Sequence, residues 1–287
     1  MSGSGGDAIV GYDNKFGTFI TTILGWAATI VFFFPVFWMV LTSFKEESDA
    51  QNETPVFFFD ASFDRYRDVI DSTQGTLTFA KAFATSFWVV ILSTIVVLIL
   101  AIPAAYSLAI KPIEKWRDVL FFFISTKFLP IAAAVLPLFF FARFFDLLDT
   151  RLVLIIVYTA LNLPLAIWMM RSFFDEVPKE LIEAAQIDGA SLWSQLRSVI
   201  LPIVSPGIAA TALLCFIFAW NEYFLALNLT TFDAQTVPIW VTTNVDSRGP
   251  FLAKLSAAAT VASIPVVAAG WIAQKRLVRG LSLGAIK

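Results

Sequence analysis

The chain has 287 residues, 58% of them hydrophobic and only 15% charged, and a mean hydropathy of +0.78, whereas soluble domains are about half apolar and a quarter charged. That balance argues against a soluble fold, and thirty phenylalanines with nine tryptophans suit helices in lipid and aromatic belts at its edges. A net charge of −2 offers no basic surface for nucleic acid, and the lack of histidine with a single cysteine, Cys215, excludes internal disulfides and Cys/His metal or nucleophile sites.

A bilayer core about 30 Å thick needs about 20 mostly apolar residues per crossing, as helix, because lipid cannot satisfy open strand edges. Six charge-poor intervals of that order follow one another. After a glycine-rich leader, Met1 to Gly6, within an N-terminal tail of residues 1–18, the first span has its core at Phe19 to Leu41. It is too long for a signal peptide and no small-residue cleavage site follows. The loop from Lys45 to Lys81 holds Pro55, Phe57 to Phe59 and an amphipathic stretch from Phe63 to Val69, and is expected to form a small external cap.

The second span lies between Lys81 and Lys111, and a tight turn to Asp118 leads to the third, from Val119 to Ala142. Lys127 sits inside that third span, about two turns from its cytoplasmic end. An intramembrane charge suggests function, but at this depth a snorkelling side chain is the preferred reading. The fourth span runs from Arg151 to Arg171 and is interrupted by Asn162 and Pro164, which can expose carbonyls to a cavity or simply kink the helix. The fifth lies between Arg197 and Glu222, with Cys215 expected as a small packing residue.

An outer loop from Asn221 to Lys254 leads to the sixth span, up to Lys275, whose Ser256, Ala257, Ala258, Ala259 and Ala262 suit close helix packing. Residues 19–274 thus form one six-span, all-α membrane domain, and residues 275–287 a C-terminal tail. With the N-terminus inside, inner segments hold eleven lysines and arginines against eight outside. Both termini are therefore expected in the cytoplasm.

The inner loop, within 171–202, reads FFDEVPKELIEAAQIDGASLWSQLRSVILP. Pro178 suits a helix start, where Glu180 and Glu183 favour the positive end, and Gly189 permits the left-handed turn that stops it. Ser191 can cap a second short helix with Leu192, Leu196 and Val199 on one face, and Pro202 opens the fifth span. Ala184 and Ala185 are expected to leave one side bare, so that another protein can approach the backbone.

These residues closely resemble the EAA loop of ABC importer permeases: Glu183, Ala184, Ala185, Gly189, Leu201 and Pro202 match at the right spacing, and Asp188 and Ala190 complete the IDGA form of the carbohydrate branch. Pro164 and Arg171 to Phe174, the WNEYF of Trp220 to Phe224 and the tail RGLSLGAIK extend the likeness, which is greatest to the shorter permease of the maltose-type pair. The resemblance implies a type I importer permease in the bacterial inner membrane, carrying a sugar, polyol or sugar derivative. Its implied partners are a longer second permease, two ATPase subunits that bind ATP and Mg, and an external solute-binding protein. It also implies that Glu183, Ala184, Ala185, Asp188, Gly189, Ala190, Leu201 and Pro202 couple to the ATPase. Asn162, Trp220, Asn221 and Glu222 are candidate residues of the solute path.

No phosphate loop of the G-x-x-x-x-G-K-[ST] type occurs, so no ATP, other cofactor or metal is expected in this chain, and it is not read as an enzyme. A channel or ion-coupled transporter is the alternative; it needs titratable groups near the midplane, where the spans offer only Lys127. A mere membrane anchor leaves the loop spacing unexplained.

Overall fold

A computed structural model describes residues 15–71, 77–111, 113–243 and 251–284. The leader, and the side chains of Lys15, Arg248, Lys275, Arg276, Arg279 and Lys287 that enter the charge comparison, lie outside the described residues. In chain order the helices are α1 (Lys15–Thr42), α2 (Glu47–Ala50), α3 (Asp64–Asp71), α4 (Phe79–Ala109), α5 (Trp116–Ser125), α6 (Ile131–Phe144) and α7 (Arg151–Asp175). There follow α8 (Lys179–Ile187), α9 (Leu192–Ser194), α10 (Leu201–Ile203), α11 (Ser205–Trp220), α12 (Phe224–Leu229), α13 (Val237–Thr243) and α14 (Leu252–Gly284).

Four helices, Gly17–Thr42, Phe79–Ala109, Arg151–Asp175 and Leu252–Gln274, are each long and apolar enough to cross a membrane. The expected third and fifth spans are instead bent pairs, α5 with α6 at 93° and α9–α10 with α11 at 76°. Counting each pair as one crossing gives six. Proline causes both breaks. Leu129 precedes Pro130 and is driven into the extended region, with ψ of 124°, so helicity cannot pass through it. Pro206 has no N–H to return to the preceding turn, and the chain swings at Val204. Pro202 therefore opens only the short α10, and the fifth crossing proper begins at Ser205.

The centre of the bundle is the α4–α7 pair, with α11 packed on both. The buried face of α4 carries Ala82, Ser86, Ser93, Ala101 and Ala105, small residues that let the partner helix approach closely. Thr78 caps α4 through the Lys81 N–H at 3.3 Å, and Thr150 caps α7 through the Val153 N–H at 3.3 Å. Two buried clusters result: one joins Tyr158, Trp220 and Trp240, and the other joins Met170, Phe174, Ile182, Ile200 and Cys215.

The loop after α1 does form a compact cap. Phe44, Phe63 and Tyr66 pack ring on ring, and the Tyr66 and Ser43 hydroxyls lie 2.6 Å apart. Lys45, only 1% exposed, sets its ammonium 4.1 Å from the Trp38 ring, a cation–π contact in place of a carboxylate. Glu47 reaches across to the last span, where its two oxygens accept the N–H groups of Ala253 and Lys254 at 3.3 and 3.4 Å and cap α14.

Candidate functional site

The elbow between α7 and α11 is built as a rigid projection. Helix α8 starts after Pro178 and stops at Gly189, whose φ of +75° is the left-handed conformation the turn requires. The Ala190 N–H then returns to the Ala185 carbonyl at 3.0 Å, closing the helix end. Ser191 caps α9 by accepting from the Ser194 N–H at 3.3 Å. The buried Gln195 donates its Nε2 to the Ala190 carbonyl at 2.7 Å and so ties the second helix back to the turn. Ile182 and Ile200 anchor the elbow in the same apolar cluster as Met170 and Phe174.

Of the predicted coupling residues, Glu183, Ala184, Asp188, Gly189 and Pro202 are exposed, and Ala190 and Leu201 are half-buried. Ala185 departs from expectation: it is buried, turned inward with Ile182, so only Ala184 leaves the outer side bare. The apolar face also shifts. A π-helical turn over Gln195–Ile200 changes the register, leaving Leu192 52% exposed and burying Ile200. Sequence reasoning missed the strongest outward signal, Ile187 at the end of α8 and Trp193 in α9, at 87% and 66% exposure.

A cavity of about 380 Å³ lies beside the middle of α7 and collects Asn162 and Glu222 with Lys127 and Tyr158. Lys127 sits in a single 3₁₀ turn, Thr126–Phe128, just before the 93° bend. The residue is exposed in the single chain. Its Nζ donates to the Leu161 carbonyl of α7 at 2.8 Å. Asn162 is buried and donates Nδ2 to the Tyr158 carbonyl at 3.1 Å. The Glu222 carboxylate accepts the Leu225 and Ala226 N–H groups at 3.0 and 3.2 Å and thereby caps α12, while the Tyr158 hydroxyl donates to its backbone carbonyl at 3.2 Å.

Trp220 and Asn221 do not join this cavity. Trp220 is buried, donates Nε1 to the Ala262 carbonyl at 3.0 Å and stacks on Phe216, while the Asn221 amide bonds the Ile217 carbonyl at 2.8 Å. Both border a second cavity of about 430 Å³ between α11, α13 and α14. The four path candidates therefore divide between two spaces. Cys215 is buried in the apolar cluster, as its neighbours imply.

On the opposite side from the elbow, the segment after α12 is held by one carboxylate. Asp149 accepts the N–H groups of Thr231, Phe232, Asp233 and Ala234 at 2.9 to 3.1 Å. Lys81 adds bonds to the Phe232 carbonyl at 2.9 Å and the Asp233 carboxylate at 3.0 Å. Burial pushes the Asp149 carboxyl upward, but the four backbone donors outweigh it and hold the group below the ordinary carboxylate range.

Residues 98–282 match the family model of the binding-protein-dependent transport system inner membrane component. The chain is similar to the trehalose transport system permease protein SugB of Mycobacterium tuberculosis, with 34% identity over 93% of this chain and 95% of the relative. It is similar also to the trehalose/maltose transport system permease protein MalG of Thermococcus litoralis, with 32% identity over 90% and 92%. The diacetylchitobiose uptake system permease protein DasC of Streptomyces coelicolor shares 30% over 88% and 91%. Among solved structures, a chain of a bacterial ABC transporter involved in the import of the acidic polysaccharide alginate superposes with a TM-score of 0.72. At 24% identity over 96% of this chain and 99% of that one, it shares the fold.

Proposed function

Because this chain belongs to the family of binding-protein-dependent transport system inner membrane components, we propose that it is one membrane half of an ABC importer for a sugar, polyol or sugar derivative, driven by a separate ATPase through the elbow at 178–202. The observation that carries the coupling is the construction of that elbow: anchored inside by Ile182 and Ile200 and closed by Gly189, it presents Glu183, Ile187, Asp188 and Trp193 outward. A polar rim around exposed apolar knobs is the composition of a protein-binding patch. Anchoring in the core lets a push on α8 move α7 and α11 as one body, which a two-state transporter requires. The sugar class rests on the relatives' names.

In this reading the partners are a second permease, two cytoplasmic ATPase subunits holding ATP and Mg, and a solute-binding protein outside; both termini are cytoplasmic, and this chain performs no hydrolysis. A tagged chain expressed with its neighbouring genes is expected to bring down an ATPase from detergent extracts. Recovery of the chain without one, or uptake that survives deletion of the ATPase, defeats the proposal.

The Gly189→Val variant sharpens that experiment. A β-branched residue at φ +75° costs about 1–2 kcal/mol, although no neighbouring atom blocks the site. The elbow's turn is then distorted while the bundle stays packed, so uptake should fall by about tenfold while the ATPase still co-purifies. Uptake at the native level removes the elbow from the coupling path.

A further inference from the structure

The cavity beside α7 contains a charge that the fold does not neutralise. Among the described residues Lys127 has no carboxylate within ion-pair distance, and its ammonium meets only the Leu161 carbonyl. An ammonium has three donors, so two are left facing the cavity. Glu222 shares the space but is occupied, since both its oxygens cap α12. Asn162 spends its Nδ2 on Tyr158, and its Oδ1 accepts no bond among the described residues. A charge held near the middle of a membrane helix bundle is costly unless water or a ligand uses it.

We infer that Lys127 and Asn162 form the solute contact of this chain, recognising a hydroxyl of a neutral polyhydroxylated solute. A hydroxyl both donates and accepts: the Lys127 N–H groups supply the donor it needs and the Asn162 oxygen the acceptor. The Glu222 carboxylate on the same lining meets an anion with like charge and offsets what the ammonium offers it. The remaining wall is apolar, with Ile131, Leu138 and Phe218, and suits the C–H face of a sugar ring. A volume of about 380 Å³ accommodates a small carbohydrate. This contact rests on the importer reading above.

The test uses the complete importer in proteoliposomes, with its solute-binding protein and labelled D-glucitol, trehalose, maltose, diacetylchitobiose and D-glucuronate as probes. The native complex should import a neutral probe and leave glucuronate outside. Loss of a charge-assisted hydrogen bond should lower uptake by about tenfold or more in Lys127→Met, while hydrolysis stimulated by the loaded binding protein stays within about twofold. Lys127→Arg should retain uptake, and Asn162→Ala should lose it as Lys127→Met does. Unchanged uptake in Lys127→Met overturns the inference, as does glucuronate being the only probe carried. If uptake and stimulated hydrolysis fall together, Lys127 merely clamps the bend to α7 and the contact is likewise refuted. Should the native complex hydrolyse ATP yet import none of the probes, the carbohydrate reading itself falls and takes this contact with it.

Discussion

Gly207 marks a tight helix crossing. It is buried where α11 meets α7, and a Cβ at that position would fall inside the Phe173 ring. Gly207→Ala should therefore force the helices apart at a cost of about 1–3 kcal/mol, read as a lower melting temperature in detergent. Pairing it with Phe173→Ala should restore part of the loss; a single variant as stable as the native chain would show that the crossing is slack. Gly189 was legible in the sequence because its role is local: a helix that must stop there, a loop spacing, and one residue type that tolerates the backbone. Gly207 was not, since nothing around it in sequence says that Phe173 lies across the gap. Lys127 shows the same limit, for nothing near it in sequence points to the Leu161 carbonyl that its ammonium meets on another helix.

Among the elements, the segment from Thr231 to Ala234 is held by a single residue outside itself, with Lys81 beside it. The four amides converge on Asp149, itself at φ +58°. An unfolded aspartate titrates near about 3.9, and the folded group lies lower, so its contribution is complete above the unfolded value. It is lost only as pH falls through the lower folded one. Amide exchange over residues 231–234 should thus show no added protection loss between neutral and mildly acidic pH. Asp149→Ala should speed exchange there by about tenfold or more, at the cost of a charge-assisted acceptor; protection that persists in the variant shows the loop holds itself. The order of the long helices was readable from apolar length, and the cap at Ser191 from its residue type. The breaks at 130 and 204 were less so: four prolines lie inside long helices, at 35, 103, 164 and 265, without ending them. What distinguishes Pro130 is that Leu129 before it is extended, and Pro206 that the chain leaves helical angles at Val204 just ahead of it.

At the scale of the whole chain, the orientation read from charge makes a direct prediction. Phe58 in the cap is 97% exposed and Ile187 in the elbow 87% exposed, and the single native cysteine is buried. In intact cells a membrane-impermeant maleimide should label Phe58→Cys and spare Ile187→Cys, and in inside-out vesicles the reverse; labelling of both from one side excludes an odd number of crossings between them. The first helix is the outlier of this architecture. It presents apolar side chains from Phe19 through Phe37 on nearly every face, packs against α14, and its following loop is fastened to that helix by Glu47. During synthesis, then, α1 is made before α14 and must wait in the bilayer without the neighbour on which it packs.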